Sequence, residues 1–445
     1  LCMKNNQRIL TFLGASLLLG SCQTDLVEKD IKKGNADFTR YVAVGNSLTA
    51  GYADGGLSRK GQMHSYPVML AEQFKLAGGG SFTVPYMNEG NGNDGSNNPA
   101  RALGYVLPCN SNIPTLSPVY PLGGATAFNN VSAQGPYNLV GVPGARVIDA
   151  NLNLYSFLNP FFSRFCLTPG VSTMISEAKR INATFFTLWL GSNDALLYAT
   201  GGAVPPANVF SPSLTDTTTF RLAMAQVVDS LTANGAKGAI ANVPDVTSVP
   251  YFTTVPWNGV ALTQGKADTL NAAYIGLGLS HIFWKAGANG FVISDSTAPG
   301  NVRQATANDH ILLTTPSDSL KCGQWGVSPA KPLADRYVLD QNEKVIIQQH
   351  ISVYNSTIAS IAMAKGLALV DMNTYLKSFK SGIIYNGVSM NAAFITGGAF
   401  SLDGVHPNGR GYALIANEFI KSINAKFGST IPYVDVTAHP GIIFP

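Results

Sequence analysis

Four short apolar runs, alternating with stretches of helical spacing, constrain this chain more than any other feature. Arg40–Val44 stops at Gly45, Phe185–Leu190 stops at Gly191, Ala239–Val243 is closed by Pro244, and Leu367–Val370 follows Gly366. None alternates apolar with polar, so each reads as a strand covered on both faces. Between them, Ser65 sits where an N-cap would, with Pro67 in the first turn and Val68, Leu70, Ala71 and Phe74 beneath. Thr217–Ala233 carries Phe220, Leu222, Ala223, Val227, Val228 and Leu231 at helical spacing. Asp340–Lys365 (Val345, Ile346, Ile351, Ile358, Ile361) and Gly411–Phe427 complete the set. Alternation of this kind predicts an α/β fold whose parallel sheet is covered on both sides, with ligands at the carboxyl ends of the strands. Two stretches break the rhythm: 87–134, rich in Gly, Asn and Pro, and 249–332, which mixes one expected helix (Ala267–Ala286) with irregular chain. Loops of that length read as insertions that wall or cover the strand ends.

The first segment is an address. Lys4 and Arg8 precede an apolar run from Ile9 to Leu19, then Leu19-Gly20-Ser21-Cys22. Residues 1–21 read as a secretory signal, too short for the roughly 20 apolar residues a membrane span needs. The tetrapeptide resembles the bacterial lipobox, which makes Cys22 the acylated lipid anchor and places the protein in the cell envelope at the outer membrane. Residues 22–37, with Asp25, Glu28, Lys29, Asp30, Lys32 and Lys33, read as a flexible tether, and 38–445 as the folded domain.

Charged residues are 12% of the chain and the net charge is +4, with no block of like sign. Nucleic acid is therefore a poor partner, and a neutral substrate suits the surface. Cys109, Cys166 and Cys322 form no CxxC or Cys/His cluster, so a metal site is not expected. One disulfide can form among the three; the spacing leaves the pairing open.

The chemistry gathers at the junctions. Gly45-Asn46-Ser47-Leu48-Thr49 follows the first strand, where Ser47 between Gly45 and Gly51 can aim its hydroxyl into the cleft. Asp403-Gly404-Val405-His406-Pro407 lies just ahead of the last helix. A nucleophilic serine needs a base, and the base needs an acceptor on its other ring nitrogen; Asp403 and His406 can curl across Gly404 to meet that need. His64, His281, His310, His350 and His439 have no such neighbour and read as surface or structural. In Gly191-Ser192-Asn193-Asp194 the Asn193 amide can donate to a developing oxyanion. Gly144 precedes a helix expected from Ala145, where its N–H would meet negative charge.

Singly, each of these is ordinary turn chemistry. Together and in this order they resemble the SGNH hydrolase (GDSL esterase/lipase) superfamily, over about Phe38 to Phe427, with Ser65-Tyr66-Pro67 and Ala241-Asn242-Val243-Pro244 also similar. Asn46 departs from the pattern, standing where many members have Asp. The resemblance implies a three-layer α/β/α sandwich with a flavodoxin-like parallel sheet, and ester hydrolysis with no metal and no cofactor. It implies Ser47 as nucleophile, His406 as base, Asp403 as its orienting group, and Ser47, Gly144 and Asn193 as the oxyanion hole. The expected partners are a lipid or acylated-carbohydrate ester and, through Cys22, a membrane. A glycan-binding lipoprotein without catalysis is the alternative, with Tyr86, Tyr105, Tyr120, Phe128 and Tyr137 free to stack on sugars. Phe157, Phe161, Phe162 and Phe165 read as core packing before an acyl-binding wall.

Overall fold

Five parallel strands make the central sheet: β1 (Tyr41–Gly45), β2 (Leu139–Gly141), β3 (Phe185–Trp189), β4 (Lys237–Ala241) and β5 (Ala368–Val370). The computed structural model describes residues 30–204 and 213–445; the expected signal segment and Cys22 lie outside them. The spatial order is β2-β1-β3-β4-β5, and every pairing is parallel. That is the flavodoxin-like order, which reverses direction between β1 and β3 and opens a crevice at their carboxyl ends. β1 and β3 are buried along their whole length, which is why their sequences show no alternation.

Six helices matter for the site: α1 (Ser47–Ala50), α2 (Tyr66–Lys75), α3 (Asn193–Thr200), α4 (Thr217–Thr232), α5 (Gln341–Ala364) and α6 (Gly409–Phe427). α6 packs on α2 and on strands β4 and β5, while α5 packs on α4, α3 and the other side of the same strands, giving three layers. α6 buries Tyr412, Ile415, Phe419, Ile423 and Phe427, one stripe at three- and four-residue spacing. α5 starts in a capping box: Glu343 N–H donates to Asp340 Oδ1 at 2.9 Å and Asp340 N–H to Glu343 Oε2 at 2.8 Å.

Several local expectations are corrected. β2 was not foreseen, and the helix expected from Ala145 is a single 3-10 turn, Val147–Asn151. The helix in the second insertion covers Gln264–Gly276 and stops well short of Ala286. α5 buries Ile347, Ile351, Tyr354, Ile358 and Ala362, while Val345 and Ile346 face solvent. Ser65 occupies the N-cap of α2 but makes no capping hydrogen bond. The end of the segment expected as a tether is pinned to the C-terminus of α6: Asn35 N–H donates to Phe427 O at 2.8 Å, and Thr430 N–H to Lys32 O at 2.9 Å. Among the described residues no helix is long and apolar enough to cross a membrane.

The insertions fold differently from each other. The first holds an antiparallel hairpin, Ala102–Val106 with Thr115–Val119. The second builds its own apolar cluster around Tyr274, Trp284, Phe291, Ile293 and Ile311, where each fully buried large side chain contributes roughly 1.5–3 kcal/mol. A disulfide between Cys109 and Cys322 joins the two insertions, and Cys166 is free and buried.

Candidate active site

β1 ends at Gly45 and turns directly into α1, whose first residue is Ser47. The turn is tight: a Cβ on Gly45 would lie 2.0 Å from Thr49 Oγ1, a separation only glycine avoids. Asn46 caps α1 by accepting Leu48 N–H on Oδ1 at 3.0 Å. The residue that departs from the family pattern therefore keeps the capping role through its amide oxygen. Ser47 stands at the first helical position, where its N–H has no acceptor within the helix. The residue is buried, with only 6% exposure.

The turn before α6 brings the second half of the site. His406 Nε2 lies 2.8 Å from Ser47 Oγ, and His406 Nδ1 lies 2.8 Å from Asp403 Oδ2. Burial pushes the Asp403 carboxyl up, but the His406 ring and the donors around it outweigh that and hold it at about 2. An ionised Asp403 only accepts, so His406 Nδ1 carries the proton and the Nε2 lone pair faces the Ser47 hydroxyl. Asp403 receives five hydrogen bonds: Oδ1 from Val405 N–H, His406 N–H and the Ser401 hydroxyl, Oδ2 from Gly55 N–H and His406 Nδ1–H. Gly404 has φ +72°, and a Cβ there would lie 2.8 Å from Leu313 and 3.1 Å from Tyr251 N, so this bend favours glycine.

A loop with no catalytic motif in its sequence completes the support. Gly55 N–H reaches Asp403, Asp54 Oδ1 accepts Leu402 N–H at 2.9 Å, and the Tyr52 ring lies 4.8 Å from the His406 ring. The only local signal was Asp54-Gly55-Gly56, a turn sequence whose partners are some 350 residues away. Burial pushes the Asp54 carboxyl up to about 6.

Gly144 and Asn193 come from the strand ends on either side of β1. Asn193 opens α3, and its Nδ2 donates to Ala145 O at 3.0 Å, tying it to the Gly144 loop. One amide N–H remains for a ligand. Asp194, next along α3, accepts Val147 N–H at 2.9 Å, and burial pushes its carboxyl up to about 7. These contacts from α3 hold the loop in the 3-10 turn seen here. Asn159 Nδ2 supports the same loop by donating to Pro143 O at 2.8 Å. Among the described residues, neither Ser47 N–H nor Gly144 N–H has a hydrogen-bond acceptor.

The remaining candidates fall into place as structure. His64 pairs with His439 at 3.1 Å, His281 with Val302 O at 2.9 Å, and His350 with Ile346 O at 2.9 Å. His310 is held down at about 4 by burial. Phe161, Phe162 and Phe165 are core residues, while Phe157 is exposed. Of the loop aromatics, Tyr105 and Tyr120 are exposed and Tyr137 is buried.

Serine, histidine and aspartate in one hydrogen-bonded line, at the switch point of a flavodoxin-like sheet, fit the class of serine-type hydrolases. The model of the GDSL-like Lipase/Acylhydrolase family matches residues 41–419. The chain belongs to that family and is a hydrolase acting on ester bonds. It is similar to an alpha/beta hydrolase enzyme from the metagenome of Lake Arreo, Spain, at 12% identity over 88% of this chain and 97% of that one, with a TM-score of 0.33. Against the lipase/acylhydrolase from Enterococcus faecalis the figures are 12%, 88%, 98% and 0.33. Against an extracellular lipase from Streptomyces rimosus they are 11%, 87%, 98% and 0.31. No curated protein matches the chain.

Proposed function

We propose that the protein hydrolyses a carboxylic ester through an acyl-enzyme on Ser47, and that the ester belongs to a lipid or an acylated carbohydrate. His406 Nε2 takes the hydroxyl proton as Ser47 Oγ bonds to the ester carbonyl carbon. The carbonyl oxygen becomes an oxyanion facing the N–H groups of Ser47 and Gly144 and the Asn193 amide. His406 then gives its proton to the leaving alcohol as the carbon–oxygen bond breaks. Water repeats the sequence, with His406 as base, and releases the acid. Asp403 stays ionised throughout and steadies the imidazolium.

The observation that carries this reading is the imidazole of His406, 2.8 Å from Ser47 on one side and 2.8 Å from Asp403 on the other. The test is labelling with a fluorophosphonate beside turnover of p-nitrophenyl acetate. Wild type should label, and Ser47→Ala should lose the label and on the order of 10⁶-fold in kcat. Retained turnover in Ser47→Ala would place the nucleophile elsewhere. The same proposal puts the enzyme in the bacterial envelope on a lipid at Cys22, supported by the Leu19-Gly20-Ser21-Cys22 pattern. Metabolic incorporation of an alkyne fatty acid should then depend on Cys22.

A further inference from the structure

A cavity of about 1330 Å³ lies between the two insertions and reaches the candidate site at Leu402 and Asp403. One wall is the hairpin, with Val106, Leu116 and Pro118; the opposite wall is the second insertion, with Val260, Leu262 and Leu270. The Cys109–Cys322 disulfide joins these walls covalently, so the space between them is built before any ligand arrives. From Ala102 to Ala145 the chain carries no charged residue at all. The cavity lining carries Lys266, Lys321 and Asp318, and Arg101 is the cation that lies beside Asp403. Its guanidinium makes no hydrogen bond or ion pair among the described residues, and its recorded contact is the Tyr120 ring, 5.9 Å from the ring centroid. A Cβ on Gly55 would lie 3.4 Å from Arg101 Nη1 and 3.8 Å from Asp403 Cβ, so the guanidinium flanks the triad's own aspartate. A half-buried cation with no carboxylate partner, on the wall of a cavity whose surface is more apolar than polar, lacks the anion that would offset its desolvation. Asp403 does not supply it, since its oxygens are already taken by five donors.

We propose that this cavity holds the long aliphatic chain of an anionic amphiphile, with a phosphate or carboxylate of the same molecule at Arg101. The substrate would then be an ester of an anionic amphiphile, in place of the neutral ester that the overall charge suggests. The proposal rests on the reading of Ser47 as the acylated residue, and the cavity meets that site at Asp403, on the far side of His406 from Ser47. Short acyl groups would not reach it.

Binding can be read apart from catalysis by calorimetry with decyl phosphate, hexyl phosphate and decyl glucoside, each below its micelle concentration. Wild type should bind decyl phosphate at least about tenfold tighter than decyl glucoside, the scale of a charge-assisted hydrogen bond. Affinity should rise up to about fourfold for each methylene added from hexyl to decyl phosphate. Arg101→Gln should erase the preference for phosphate. Thr269→Trp on one wall and Leu116→Asp on the other should each weaken decyl phosphate binding at least tenfold. Ser47→Ala should bind it as wild type does while losing p-nitrophenyl acetate turnover, so a wrong nucleophile and a wrong cavity give different results. Equal affinity for phosphate and glucoside, a preference that survives Arg101→Gln, or binding indifferent to both wall variants would each overturn the proposal. A carboxylate arm, decanoate against decyl phosphate, separates the two anion sources.

Discussion

The loops at the strand ends and the insertion at 249–332 are both irregular chain, yet they are held in opposite ways. Around the candidate site the holding is polar and directional: five donors converge on Asp403, Asp54 ties Leu402, and Asn193 and Asp194 grip the Gly144 loop. In the insertion, Tyr274 and Trp284 anchor a separate apolar core. Polar ties are fewer in kind and local, Asn271 to Trp284 and Asn289 to Lys285, with Arg303 bonded to Asp309 through two nitrogens and to Asp295 through Nε. A side chain that must be aimed needs hydrogen bonds with angles; a wall that must only stand can rely on buried area and a cross-link.

That contrast breaks first at Asp403. Asp403→Asn keeps the shape but presents a donor where two donors already point, so His406 loses its tautomer or its orientation. We expect kcat for p-nitrophenyl acetate to fall on the order of 10⁴-fold. A fall of less than tenfold would show that the carboxylate does not orient the base. The insertion should answer differently. Arg303→Ala leaves Asp309, whose side chain is 1% exposed, as an uncompensated buried charge. Unfolding by denaturant should lose roughly 3–5 kcal/mol, while p-nitrophenyl acetate turnover per folded molecule stays within about twofold, since Arg303 touches no candidate catalytic group. Loss of short-ester turnover would mean that the two regions are not independent.

The same contrast explains what the sequence disclosed. The runs that became β1 and β3 were readable because burial on both faces leaves an unbroken apolar string. Ser47, Asp403 and His406 were readable because each lies in a short motif whose local geometry carries its chemistry. β2 was hidden: three residues, Leu139–Gly141, between Pro136 and Pro143 offer no run long enough to stand out. The 3-10 turn after Gly144 reads as a helix in the sequence because its shape is set by Asn193 and Asp194, two strands away in the sheet. Gly55, Ser401 and Tyr52 were missed for a related reason, since their importance is a contact across the whole molecule. The cavity could not be read at all: its walls come from two insertions, and the cysteines that join them are 213 residues apart.

Asn193 tests the middle of the comparison, because it both holds a loop and faces the place where an oxyanion would form. Asn193→Ala should cost about 100- to 1,000-fold in kcat, the range for one oxyanion donor. KM should move by less than about threefold, which a merely loosened loop would not respect.

The smallest effect is the most particular to this fold. Asp194 has an ordinary value of 3.8 that burial raises to about 7 in the folded protein. The unfolded chain therefore releases this proton near 3.8 while the folded chain keeps it. The stability that the protonated form supports is complete below the unfolded value and is lost as pH rises through the folded one. Asp54, pushed up to about 6, has the same sign; Asp403, held at about 2, acts in the opposite sense and only in stronger acid. Asp194→Asn keeps an oxygen for Val147 N–H and removes the titration. The stability of Asp194→Asn relative to wild type, from denaturant midpoints, should therefore improve between pH 5 and pH 7 and level off above that, because the other groups cancel in the difference. A difference that stays constant over that interval would mean Asp194 is ionised in the fold throughout it, and that the loop carrying Gly144 is held by a carboxylate and not by a neutral carboxyl.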